Sequence, residues 1–298
     1  MSVPGPIGVV GDYNLLERLE PAGPGELYRA RDTRKGRTVV VRLLPAGLTP
    51  DDASRARFIA QARGTGVLSH PNVIAMFDAG EHDGRVYLVF EFITGQSLRA
   101  EMADRPMNVR RAVELAIQIA DAVADAHAAD FVHGGLSPDS VVVTAKGHAK
   151  IPAFELAGRA GFEPGGDRLR DYESPEEAGN QRGDDRSDIY SIGAILYEML
   201  TTRRPSHRGA AAPSVSNRHV IPELDDIILR AVAPNPDSRH QSAVALAAEL
   251  RGIAARFDAH ETAVDEQAEA RRSTSVSRLL LALLVLGVLA AVWWIVMQ

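Results

Sequence analysis

The chain has 298 residues, 45% of them hydrophobic and 24% charged, enough apolar content to bury a sizeable core in one large domain with appendages. Its formal net charge of -6 excludes a general nucleic-acid binder, which needs a concentrated basic surface to neutralise phosphates. Cysteine is absent, which excludes disulfides, thiol nucleophiles and cysteine-ligated zinc and fits a reducing cytoplasm.

Residues 1–12 are rich in Gly and Pro, with no basic stretch ahead of an apolar one, and read as a flexible lead-in without a secretory signal. Residues 13–31 alternate like two strands joined by a Gly/Pro turn. Residues 38–44 follow as a buried-strand pattern. Over 54–68 the spacing is helical, with Phe58, Ala62 and Val67 on one side, although Gly64 and Gly66 weaken it. Residues 86–93 read as another strand, and 109–128 as a long, alanine-rich amphipathic helix.

The next stretch organises the rest. Phe131-Val132-His133-Gly134-Gly135-Leu136-Ser137-Pro138-Asp139-Ser140 leads into a β-branched run, Val141-Val142-Val143, and then into Ala149-Lys150-Ile151-Pro152-Ala153-Phe154-Glu155. It resembles the catalytic loop and metal-binding turn of the bacterial eukaryotic-like Ser/Thr protein kinases, His-Arg-Asp-Leu-Lys-Pro-x-Asn and Asp-Phe-Gly. The resemblance implies an α+β, two-lobed fold over residues 13–255, with a β-rich N-lobe over about 13–93 and a helical C-lobe over about 97–255. It keeps the family's packing residues, His133, Leu136, Pro138 and Phe154, and departs at the reactive ones. Gly135 stands at the base aspartate, Ser140 at the metal-binding asparagine and Ala153 at the metal-binding aspartate. Magnesium needs hard oxygen ligands, so the expected metal site is none.

The same resemblance assigns the N-lobe. Of the glycine-rich loop only Gly25 is kept; Glu20 and Ala22 replace the first two glycines, and Pro24 removes an amide donor. Arg42 occupies the place of the phosphate-pairing lysine, Val40 that of an adenine-contacting alanine, and Gln61 that of the helix glutamate. Gln61 can hydrogen-bond Arg42 but lacks the charge to form the usual ion pair. Phe90 falls at the gatekeeper. Gly25, Leu27, Val40, Arg42, Phe90, Glu91 and Ile93 outline the nucleotide cleft that the family would use.

In the C-lobe, the counterpart of the activation segment between Phe154 and Ser174 holds no Ser or Thr, so control by its phosphorylation is not expected. Tyr172-Glu173-Ser174-Pro175-Glu176 matches Ala-Pro-Glu, Arg239 matches the arginine that pairs with that glutamate, and Asp188 the aspartate that braces the catalytic loop. Residues 203–220 are shorter and more Pro/Ser/Ala-rich than the family's substrate-docking region.

Residues 256–278 turn polar and read as a juxtamembrane linker, where Ser273, Thr274, Ser275 and Ser277 follow a basic pair and are candidate phosphorylation sites. Residues 279–297 carry no charge and are long enough, at about 1.5 Å per residue, to span a bilayer as one transmembrane helix. Arg271, Arg272 and Arg278 on its N-terminal side place the domain in the cytoplasm, and Gly287 with Ala291 offers a small-residue contact for a homodimer.

The expected function is a membrane-anchored pseudokinase acting as a scaffold or allosteric partner, with an active Ser/Thr kinase or its substrate as protein partner. Two rivals stand beside it. One is an active kinase or nucleotidyl transferase of non-standard chemistry using Asp139 or Asp171. The other is a module that senses ATP without magnesium.

Overall fold

The structure is a computed structural model, and it describes residues 6–20, 25–66, 68–152, 171–179, 181 and 183–259. Ala153, Phe154, the candidate phosphorylation sites at 273–277 and the apolar segment 279–297 lie outside the described residues. Among those described, no helix is long and apolar enough to cross a membrane.

The N-lobe is a six-stranded antiparallel sheet in the order β1-β2-β3-β4-β6-β5. Its strands are β1 (Gly8–Val10), β2 (Tyr13–Leu19), β3 (Glu26–Asp32), β4 (Thr38–Leu43), β5 (Met76–His82) and β6 (Arg85–Glu91). Period-two alternation in β4 sends Val39 and Val41 to one face, where they pack with Val10, Tyr13, Leu15, Ala30 and Val89. The opposite face is covered by α1 (Asp52–Thr65), which buries Phe58 and Ala62 against Leu44, Leu88 and Phe90. Asp51 caps that helix by accepting from the Ser54 amide at 2.7 Å.

Two expectations are corrected in this lobe. Residues 8–10 are not loose: β1 pairs with β2, because the buried side chain of Val10 joins the core of the sheet. The helix expected over 54–68 starts two residues earlier and stops at Thr65, before Val67, where Gly64 and Gly66 loosen the helical pattern.

The C-lobe is mainly helical and carries a small sheet of β7 (Gly95–Ser97), β8 (Val142–Thr144) and β9 (Ala149–Lys150). Its helices are α2 (Leu98–Met102), α3 (Val109–His127), α4 (Pro175–Ala178), α5 (Asp185–Thr201), α6 (Pro222–Ala231) and α7 over 243–259. α7 runs past residue 255, so helix persists into the expected linker. α3 is amphipathic as its spacing predicts, with Ala112, Ala116, Ile119 and Val123 buried at three- and four-residue intervals. α5 is different in kind: every residue from Ser187 to Thr201 is buried, so it forms the centre of the lobe.

The lobes meet where a parallel bridge pairs Val73 with Ile151. The Ile74 amide donates to the Ile151 carbonyl and the Ile151 amide to the Asn72 carbonyl, both at 2.8 Å.

Candidate functional site

Arg42 sits on β4 opposite Leu27 of β3 and Leu88 of β6, two residues along from Val40, which lies opposite Phe90. Val40 and Phe90 belong to the cluster under α1, so branched apolar bulk occupies this face of the sheet. The Arg42 side chain is not extended into solvent; burial lowers its guanidinium below the usual arginine value. Gln61 does not reach it. The glutamine is exposed on α1 and makes no hydrogen bond to Arg42 among the described residues, because Phe58 and Ala62 set the inward face of the helix. The hydrogen bond that Gln61 could offer Arg42 is not formed.

Gly25 opens β3 with φ +97, and a Cβ there would lie 2.5 Å from the Leu43 carbonyl oxygen. Backbone packing alone requires glycine at this position, with or without a phosphate nearby. Leu27, two residues on, is half-buried. Phe90 is buried, Ile93 half-buried, and the Glu91 carboxylate is turned to Lys150 Nζ at 2.8 Å. The Glu91 amide donates to the Ala75 carbonyl at 2.9 Å.

The catalytic-loop frame is held from beneath by α5. Asp188, 1% exposed, accepts from the backbone amides of His133 and Gly134, each at 2.8 Å, and lies 2.7 Å from His127 Nε2. The His133 ring is buried, and burial lowers its pKa so that it stays neutral. Gly134 adopts φ +61, and Leu136 is wholly buried. Gly135 offers no side chain at the family's base position. The Ser140 hydroxyl donates to the Ser137 carbonyl at 2.9 Å and accepts from the Ser137 amide at 3.2 Å, closing the loop on itself.

The two spare carboxylates are also engaged. Asp139 lies 3.4 Å from Arg99 Nε, and Asp171 2.7 Å from Arg204. Among the described residues no three His, Asp or Glu side chains are grouped as a cation would require. The magnesium that this frame implies thus finds no fitting donor set in the described loop: one position is glycine, and the other has a hydroxyl already spent on backbone.

Glu176 and Arg239 form a bidentate pair at 2.7 and 2.8 Å. Arg239 has no exposed side-chain surface and also donates to the carbonyls of Ala233, Arg186 and Pro234. Burial would raise the Glu176 carboxyl, but the Arg239 guanidinium outweighs it, with help from a backbone amide and the Ser174 and Ser187 hydroxyls. The result is held at about 2.

Two groupings escaped the reading of the sequence. Lys150 with Glu91 ties the small sheet to the end of β6, while Asn72 Nδ2 donates to Gln118 Oε1 and to the Ala149 carbonyl at 3.0 and 2.7 Å. A second network joins Arg99 to Glu198 at 2.8 Å, with the Tyr172 hydroxyl bonded to both. Burial, then the Glu198 bond, pushes the Tyr172 hydroxyl up to about 12. The one available signal for the first was a lysine set in an otherwise apolar run.

A sequence profile described as the protein kinase domain matches residues 15–262. The chain is 35% identical over 259 residues to a probable serine/threonine-protein kinase of Streptomyces coelicolor, covering 78% of this chain and 38% of that protein. It is 32% identical over 265 residues to the serine/threonine-protein kinase PknB of Mycobacterium tuberculosis, covering 80% and 42%. The chain thus spans about two fifths of the length of these curated relatives. Among solved structures, the PknI kinase domain of Mycobacterium tuberculosis matches with a TM-score of 0.67 at 21% identity, over 82% of this chain and 97% of that one, a likeness of fold alone.

Proposed function

This chain belongs to the protein kinase domain family, and from that premise we propose that it is a pseudokinase, a kinase-shaped scaffold that engages a protein partner at the cytoplasmic face of a membrane instead of transferring phosphate. The observation that carries the reading is the catalytic loop. Gly135 supplies no base, and the Ser140 hydroxyl is committed to Ser137, within a frame that Asp188 still holds in place. A side chain that takes the substrate proton contributes typically 10²–10⁴-fold to an enzymatic rate. Losing the metal ligands as well removes the main electrostatic aid to phosphoryl transfer. Asp139 and Asp171, the alternative bases, are each turned to an arginine. The apolar run 279–297, preceded by Arg271, Arg272 and Arg278, supports the membrane part of the proposal.

The test is transfer from radiolabelled ATP to generic protein substrates by the full chain, against a Val40→Trp variant whose cleft is blocked. The expected result is the same background for both; magnesium-dependent transfer by the natural chain alone refutes the proposal. One observation favours a second reading, an ATP-sensing module: Arg42 keeps a cation on the cleft strand. A ligand that binds only the folded form raises its melting temperature. A shift at millimolar ATP that persists in EDTA would select that reading.

A further inference from the structure

The chain between Glu198 and Glu223 holds no acidic residue and four arginines, Arg203, Arg204, Arg208 and Arg218, in a molecule whose formal net charge is -6. Three of the four flank one serine, in the run Arg203-Arg204-Pro205-Ser206-His207-Arg208. Two arginines, one residue and then a hydroxyl is a spacing that recurs at Arg271-Arg272-Ser273-Thr274. Only the first of these runs lies within the described residues.

Folding presents that serine to solvent. Residues 204–206 belong to neither helix nor strand, and Ser206 is exposed. The turn around it is held on both sides: Thr201 Oγ1 donates to the Arg203 carbonyl at 3.1 Å, Pro205 is buried, and the His207 ring meets Tyr190 edge-on with centroids 5.9 Å apart. Ser206 Oγ accepts from the Arg208 amide at 3.2 Å and donates to no group among the described residues, which leaves its proton available. Ser140, by contrast, spends its hydroxyl on the Ser137 backbone. The exposed guanidinium groups of Arg203 and Arg208 make no hydrogen bond or ion pair among the described residues. Arg204 is turned to Asp171 at 2.7 Å, but the two side chains keep 40% and 38% of their surface, so this screened pair yields to a competing carboxylate at little cost.

We propose that Ser206 is a phosphorylation site for an arginine-directed protein kinase, one whose peptide groove sets carboxylates against Arg203 and Arg204. Kinases separate their substrates by such charge patterns, and a planar guanidinium pairs with a carboxylate through two parallel hydrogen bonds. In the transfer, Ser206 Oγ forms a bond to the γ-phosphorus of ATP held by the modifying kinase. The bond from that phosphorus to the β,γ-bridging oxygen breaks, ADP leaves, and the hydroxyl proton passes to the modifying kinase's base. The product carries about -1.5 to -2 of added charge at pH 7, which offsets close to half the charge of the four arginines. A basic surface becomes a mixed one. The cleft of this chain takes no part, so the site is independent of whether that cleft is active.

The experiment incubates the full chain with radiolabelled ATP and the catalytic subunit of cyclic-AMP-dependent protein kinase, an arginine-directed enzyme, with the chain and ATP alone as the blank. Phosphopeptide mass spectrometry then locates the phosphate. The expected result is modification of Ser206 above the blank, abolished by Ser206→Ala. Joint Arg203→Gln and Arg204→Gln substitution slows it about 10-fold or more, the worth of a charge-assisted hydrogen bond. The rate at Thr274, which has the same spacing outside the substituted turn, stays unchanged. All three positions are exposed, and circular dichroism matching the natural chain establishes that each variant is folded. The same mapping on chain isolated from its own cells, growing and stressed, is expected to find Ser206 phosphorylated. No phosphate at Ser206 in either preparation, or a rate there that ignores both arginines, overturns the proposal.

Discussion

Glu176 carries its charge against burial, and acid exposes the consequence. Its folded carboxyl sits at about 2 and an unperturbed one near 4.5. A folded value below the unfolded one means that the stabilisation is fully present above about pH 4.5 and is lost as the pH falls towards 2. Glu176→Gln leaves Arg239 buried without a counter-charge, which costs roughly 3–5 kcal/mol at neutral pH. In thermal unfolding followed from pH 7 to pH 3, the gap between natural chain and variant is expected to narrow through that window. A gap of constant width would rule out this account of the pair. Motif spacing named both residues, 63 positions apart, as partners. It said nothing of the three backbone carbonyls that complete the arginine's shell, since those belong to turns brought together only by folding.

Helix α5 shows what an element can be asked to do. Its residues are buried all round, so no amphipathic stripe betrays which face meets which neighbour. Contact with α6 is decided by Gly193: a Cβ there would lie 2.7 Å from Ala231 Cβ and 2.9 Å from Val232 Cγ1. Gly193→Ala gains about 0.5–1 kcal/mol of helix propensity and loses about 1–3 kcal/mol to overpacking. The expected balance is a net loss in urea unfolding, partly restored by adding Ala231→Gly. Equal or greater stability of the single variant would show that α6 yields freely. Elements that keep one wet face were legible from their spacing, as α3 was. The inward face of α1 was legible in part. Its apolar spacing did place Phe58 and Ala62 on the inward side, and what it left open was Gln61, which that same face turns outward, away from the role that alignment suggested.

At the scale of the molecule, the two lobes are joined by more than the chain between them. The Lys150–Glu91 ion pair runs from the large sheet to the small one, and the Val73–Ile151 bridge and the Asn72 bond to the Ala149 carbonyl join the segments beside them. Lys150 and Glu91 keep 18% and 35% of their side-chain surface, so the pair is partly screened and its worth is modest. A double-mutant cycle with Lys150→Met and Glu91→Gln is expected to return a coupling of roughly 1 kcal/mol, with faster hydrogen exchange at residues 149–151 in the single variants. Zero coupling with unchanged exchange would remove the pair from the join.

Residue identity by itself determined the family frame, the strands over 13–31, 38–44 and 86–93, the amphipathic helix α3, and the loss of side-chain oxygens at Gly135. Those depend on local periodicity and on chemistry that a side chain either has or lacks. Tertiary structure alone decided where Gln61 points, which arginine holds Asp139 and which holds Asp171, and that His207 is held against Tyr190 while Ser206 beside it stays exposed. Such outcomes follow from through-space electrostatics and packing between segments far apart in the chain, and no window of sequence contains both partners.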